Sequence, residues 1–135
     1  MTIKHHLSDQ LLMAFAAGNL PEAFSLVAAT HVSLCDECRA LMETYEAVGG
    51  AVLETETAAM SEASLAACLA RLGAPDAPQK PSPRRGIFPA PLAGYVGGDL
   101  EKVRWKPLGM GVRQAILPTA KGASARLLYI PAGQS

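Results

Sequence analysis

His31-Val32-Ser33-Leu34-Cys35-Asp36-Glu37-Cys38 is the stretch that decides how this chain is read. A helix repeats about every 3.6 residues, so steps of four and then three bring the imidazole and both thiols to one side. Imidazole and thiolate are the ligands Zn²⁺ prefers, and a closed structural site takes four of them in a tetrahedron. The missing fourth has two candidates upstream, His5 and His6, which with His31 are the only histidines of the chain. Two competing readings of the thiols are a redox pair and small buried hydrophobes. Asp36 and Glu37 disfavour thiolate unless a cation is bound, and the strand–loop–helix setting of a thioredoxin-like pair is missing. The reading adopted is a zinc-stapled helical domain. Cys68, in an Ala/Leu-rich helical stretch, is read as packing.

Working outward, the first helix is expected from about Leu7 to Ala17, capped by Ser8 or Asp9 and ended by Gly18. Leu11, Leu12 and Phe15 form its apolar stripe. Pro21 suits the first turn of a second helix that carries Phe24, Leu26, Val27 and His31. A break near Ser33-Leu34 puts His31 at one helix end and both cysteines at the next helix start, which makes a metal a clasp between helices. The third helix is expected to continue through Leu41, Met42, Tyr45 and Val48 and to stop at Gly49-Gly50. A fourth starts at Ser61-Glu62, carries Leu65, Leu69 and Leu72 at helical spacing, and closes at Gly73. That stripe packs either at home, as a fourth bundle helix, or in a partner's groove.

Charge divides the chain in two. Up to residue 79 three bases face ten acids, and from residue 80 nine bases face two, so halves of −7 and +7 cancel to the net charge of zero. Such asymmetry marks two units with separate partners. An acidic metal domain repels nucleic acid and attracts basic proteins, which speaks against a DNA-reading zinc finger. No run of 18 apolar residues is present to span a membrane, and Met1-Thr2-Ile3-Lys4-His5-His6 lacks the apolar stretch of a signal peptide. Thiols kept reduced for a metal point to the cytoplasm.

Residues 74–91 hold Pro75, Pro78, Pro81, Pro83, Pro89 and Pro91 around Arg84-Arg85 and are read as a semi-rigid linker with neither helix nor ladder. Beyond them the period changes to two. Strand-like runs are Lys102–Lys106, Val112–Ile116 and Ser124–Ile130, with turns at Gly109-Met110-Gly111, Pro118-Thr119 and Lys121-Gly122. Three strands make no stable sheet alone, so the chain reads as ending at Ser135 in the middle of a β-domain. The fold class expected is α + β: a zinc-stapled bundle of about four helices (1–73), the Pro-rich linker (74–91), and the truncated start of an antiparallel β-domain (92–135).

The chain resembles the ChrR-type zinc-binding anti-sigma factors. The resemblance rests on Ile3-Lys4-His5-His6-Leu7-Ser8-Asp9, on the His31-x₃-Cys35-x₂-Cys38 core, and on the Val103-Arg104-Trp105 and Gly111–Pro118 stretches. It implies zinc ligands at His6, His31, Cys35 and Cys38, selecting His6 where spacing left His5 and His6 open. It also implies a cupin-like fold for the β-domain, whose second metal site, of histidines and a glutamate, would lie beyond Ser135. By the same resemblance the helical domain clamps an extracytoplasmic-function sigma factor, blocks its access to core RNA polymerase, and lets go under photo-oxidative stress of the singlet-oxygen type.

The leading expectation is therefore a cytoplasmic, zinc-dependent anti-sigma factor with no enzymatic activity, no direct nucleic-acid contact and no membrane span. Four protein ligands leave no open position for an activated water. Apolar contacts to the partner are expected from Leu65, Leu69 and Leu72 and from Leu11 and Phe15 on the first helix, with the acidic residues steering the encounter. The alternative is a cupin-type metal enzyme or small-molecule sensor with an N-terminal zinc-binding appendage, which needs a His-x-His…Glu…His set this chain lacks.

Overall fold

Ser8 opens the first helix: its carbonyl accepts the first helical hydrogen bonds, and its hydroxyl accepts from the Leu11 N–H at 3.4 Å. In the computed structural model, which describes residues 3–72 and 86–133, this helix, α1, covers Asp9–Ala16. It is followed by α2 (Glu22–Val32), α3 (Asp36–Thr55) and α4 (Glu62–Leu72). Then come α5 (Ala90–Val96), a 3₁₀ turn (Leu100–Lys102), and three strands, β1 (Lys106–Gly109), β2 (Val112–Ile116) and β3 (Arg126–Tyr129). The strands form an antiparallel sheet in the order β1-β2-β3. No helix among the described residues is long and apolar enough to cross a membrane.

α1, α2 and α3 pack on one another around Leu12, which is fully buried, with Val32, Cys35 and Cys38 beside it and Ile3, Leu7, Leu41, Met42 and Tyr45 closing the cluster. The thiols of the motif are thus part of the bundle's core. A second cluster joins Ala23 and Leu26 of α2 to Leu92 of α5, and to Leu117 and Ala125 beyond the facing ends of β2 and β3. Helix α2 therefore serves two cores, Val32 in one and Leu26 in the other. Its Ala-rich sequence suits that position, because a helix covered on two sides needs no single apolar stripe.

Glu22 pins the second junction. Its carboxylate accepts from the Tyr95 hydroxyl at 2.6 Å and from the Ala120 N–H. The Tyr95 bond, then the Ala120 bond, holds this carboxyl below its ordinary value near 4.5, and the same contact raises the Tyr95 hydroxyl. A depressed carboxylate contributes stability that is present above its unfolded value and is lost as pH falls through the folded one. Glu22→Gln is expected to melt earlier than the parent at neutral pH, with the difference closing as pH drops below the ordinary glutamate value; paired thermal melts across that range measure it.

Three elements depart from the sequence expectations. Helix α3 does not stop at Gly49-Gly50 but runs to Thr55, because a helical glycine costs only about 1 kcal/mol relative to alanine and helix formers flank the pair. A Cβ at Gly50 would meet open space, so Gly50→Ala is expected to stabilise by about 0.5–1 kcal/mol, readable as a raised melting temperature. Helix α5 begins at Ala90, inside the stretch expected to form no helix. Pro91 occupies its first turn, where the missing N–H has no helical partner to lose, and Gly97 ends it at φ 77°. The run Lys102–Lys106 is not a strand: the 3₁₀ turn, capped by the Asp99 side chain through the Leu100 N–H, occupies its start, and β1 begins only at Lys106. The other strands and the Gly109-Met110-Gly111 turn lie where expected, with Arg113 opposite both Pro107 and Tyr129. Gly73 and residues 74–85 of the expected linker lie outside the described residues.

Candidate metal centre

The corner between α2 and α3 builds the site. His31 lies in the last turn of α2, and the Leu34 and Cys35 N–H groups both donate to its carbonyl at 2.9 Å, turning the chain tightly. Cys35 is the N-cap of α3, and Cys38 follows in its first turn. Arg39 locks this corner, donating to the Val32 and Ser33 carbonyls at 3.3 and 3.4 Å and pairing with Asp36 at 3.1 Å. The extended segment before Ser8 then carries His6 back across the start of α3.

His6, His31, Cys35 and Cys38 each offer one ligand atom, and these atoms all lie within 4.8 Å of one another. His31 Nε2 is 3.2 Å from Cys38 Sγ, and His6 Nδ1 is 3.4 Å from Cys35 Sγ and 3.6 Å from Cys38 Sγ. A tetrahedron with zinc bonds of about 2.0–2.3 Å has edges of about 3.3–3.8 Å, so these three separations are close to coordination edges. His5 is not part of the cluster.

The electrostatics of the two thiols differ. A hydrogen bond from the Cys38 N–H is the main cause that lowers the Cys35 thiol, while burial pushes the Cys38 thiol up. A cation held between them would favour thiolate at both, the charge state a metal ligand needs. Both sulfurs are buried and both lie at the start of a helix, where the dipole favours negative charge. The donor set, its spacing and the burial of its two thiols fit a four-ligand metal site.

The residues expected to meet a partner are placed differently from one another. No residue of α4 is buried, and Leu65, Leu69 and Leu72 are 65%, 57% and 82% exposed. On α1, Leu11 and Phe15 are half-buried, and Met13 is the exposed apolar side chain. Met13, Ala16 and Ala17 line a groove of about 440 Å³ with Tyr45, Glu46, Val48 and Gly49 of α3. Val48 of that groove is itself exposed, and beyond it Val52 and Leu53 stand exposed on the part of α3 that outruns the expected helix end.

Two residues at the site had no positioning role in the sequence reading: Arg39, and Glu37, which entered only through its charge beside the thiols. The Glu37 carboxylate lies 3.3 Å from His6 Nε2. The signal for Arg39 was its standing as a lone base beside Cys38 in an acidic stretch; for Glu37 it was its place between the two thiols.

No protein-family model matches the chain. Over 139 aligned residues it is 59% identical to the anti-sigma-E factor ChrR of Cereibacter sphaeroides, a match that takes in 100% of this chain and 64% of that relative. The chain thus spans a little under two thirds of the length of the curated relative it matches. Among solved structures it is similar to a chain in the crystal structure of Rhodobacter sphaeroides SigE in complex with the anti-sigma ChrR. The TM-score is 0.84 at 59% sequence identity, covering 98% of this chain and 69% of that one.

Proposed function

The chain belongs to the family of anti-sigma factors that includes ChrR, and from that premise we propose that it is a zinc-dependent anti-sigma factor. It binds an extracytoplasmic-function sigma factor as a heterodimer, denies it core RNA polymerase, and represses transcription until an oxidative, singlet-oxygen-type signal releases it. The observation that carries this reading is the convergence of His6, His31, Cys35 and Cys38 from three segments of the chain into one cluster, whose two cysteines belong to the bundle core. Zinc bound there supplies a structural cross-link, holding the segment before α1, the end of α2 and the start of α3 together. The reading makes the protein a binding regulator and not an enzyme, acting in the cytoplasm where thiols stay reduced, with no direct contact to nucleic acid or membrane.

Within this reading residues 1–73 are the zinc-binding anti-sigma domain, 74–91 the linker and 92–135 the start of a cupin-like domain. The surface offered to the sigma factor is the leucine stripe of α4, with the first helix contributing through Leu11 and Phe15. Supporting it is the exposure of all three α4 leucines: apolar surface of this kind is stabilised by a partner's groove. Acidic side chains over the bundle speed the encounter more than they hold the complex.

The test is co-expression with an extracytoplasmic-function sigma factor of the source organism, followed by purification, metal analysis and transcription from a promoter that factor serves. One sigma factor and one zinc per chain, with transcription suppressed, are expected. A metal-loaded chain that leaves transcription untouched contradicts the proposal.

A further inference from the structure

His6 is held differently from the other three members of the cluster. His31 ends α2 and the two cysteines open α3, whereas His6 lies on the extended segment before Ser8 and is exposed. An imidazole on such a segment can present either ring nitrogen, and only one of its neutral tautomers leaves the nitrogen facing the thiols free to bind a metal. In this structure the nitrogen facing the thiols is Nδ1, at 3.4 and 3.6 Å from the two sulfurs. The opposite nitrogen, Nε2, lies 3.3 Å from Oε2 of Glu37. A carboxylate is an acceptor, so that contact is made when Nε2 carries the ring proton and Nδ1 keeps its lone pair.

We infer that Glu37 is the positioning residue of the metal centre: it fixes the ring orientation and tautomer of His6 so that Nδ1 completes the ligand set. The inference rests on the zinc reading given above. It assigns to the first turn of α3 two tasks, supplying both thiols and aiming the one imidazole that no helix holds. The competing account is an ordinary surface ion pair, since the Glu37 side chain is 79% exposed. Such pairs contribute little to stability and are indifferent to metal. A carboxylate that orients a ligating histidine alters metal affinity by about 10–100-fold. The two accounts therefore differ in what a zinc titration reads.

The test is zinc competition against a chromogenic chelator, using the full chain. Glu37→Ala is expected to weaken zinc binding by about 10–100-fold. Glu37→Gln should fall between that variant and the parent, because its amide oxygen still accepts from Nε2 without the charge. The same Glu37→Ala change is then made in a His6→Cys background, where there is no ring to orient. There it should alter affinity by no more than about twofold, the ordinary error of additivity. Unchanged affinity when His6 is present overturns the inference. So does an equal loss in both backgrounds, which would make Glu37 a bystander charge near a cation. A parent chain that binds no zinc overturns the metal reading as well, a result distinct from a zinc-binding chain indifferent to Glu37.

Discussion

Cys38→Ala is expected to yield a chain that retains no stoichiometric zinc, melts without a cooperative transition and fails to hold a sigma factor. The size of the effect follows from two magnitudes. A structural zinc site contributes about 10–16 kcal/mol of apparent binding free energy near neutral pH, while small domains are stable by about 5–15 kcal/mol in total. Removing the metal therefore removes a quantity as large as the whole margin. The bundle has little to put in its place: Leu12 is the one large side chain fully buried among the described residues, and small cores of this kind need a staple. Cys38 is also 2% exposed and sits in that core, so truncation alone costs some packing. Chelation of the unaltered chain separates the two contributions. Loss of the transition on adding chelator, and its return on adding zinc, identifies the metal as the cause; Cys38→Ala should not be rescued by added zinc. His31→Ala should behave alike.

The second large effect is expected at α4, and it should be of the opposite kind. Leu69→Ala is predicted to weaken the sigma factor complex by about 1.5–3 kcal/mol, the value of one fully buried leucine, which is about 10–150-fold in Kd. The melting temperature and zinc content of the free chain should not move, because no residue of this helix is buried in the unbound structure. Leu65→Ala and Leu72→Ala should follow the same pattern with sizes set by how deeply each is buried in the complex. Calorimetric titration of the sigma factor, paired with thermal melts of each variant, reads both quantities. A variant that binds as tightly as the parent would move the partner surface to the α1–α3 groove and its Met13 and Val48 margin.

What the sequence made legible and what it did not divide along a physical line. Local rules were enough for the corner that builds the candidate metal centre. The spacing of His31, Cys35 and Cys38, the break at Ser33-Leu34 and a cap at Ser8 or Asp9 are each set by a few adjacent residues, and the structure has the break and caps the helix with Ser8. His5 and His6 could not be separated by spacing, since neither lies on a helix; their three-dimensional placement distinguishes them. Rules about breakers were over-applied. Gly49-Gly50 was given power to end α3, though glycine taxes a helix without forbidding it. Pro91 was taken to exclude a helix at the one place, its first turn, where proline is at home.

Two further points were not legible, one long-range and one local. Charge divided the chain into an acidic and a basic half; Glu22 of the first half contacts Tyr95 and Ala120 of the second, 73 and 98 residues further on. Nothing in the neighbourhood of Glu22 announces those partners. The alternation from Lys102 to Lys106 imitated a strand, but the Asp99 side chain caps a 3₁₀ turn at its start and delays the sheet to Lys106.

X-ray absorption at the zinc edge of the purified, metal-replete chain tests the metal cross-link most directly. One zinc per chain is expected, with two sulfur neighbours at about 2.3 Å and two nitrogen neighbours at about 2.0–2.1 Å. Zinc surrounded by oxygen alone, or no bound zinc in a chain that still suppresses its sigma factor, would contradict it.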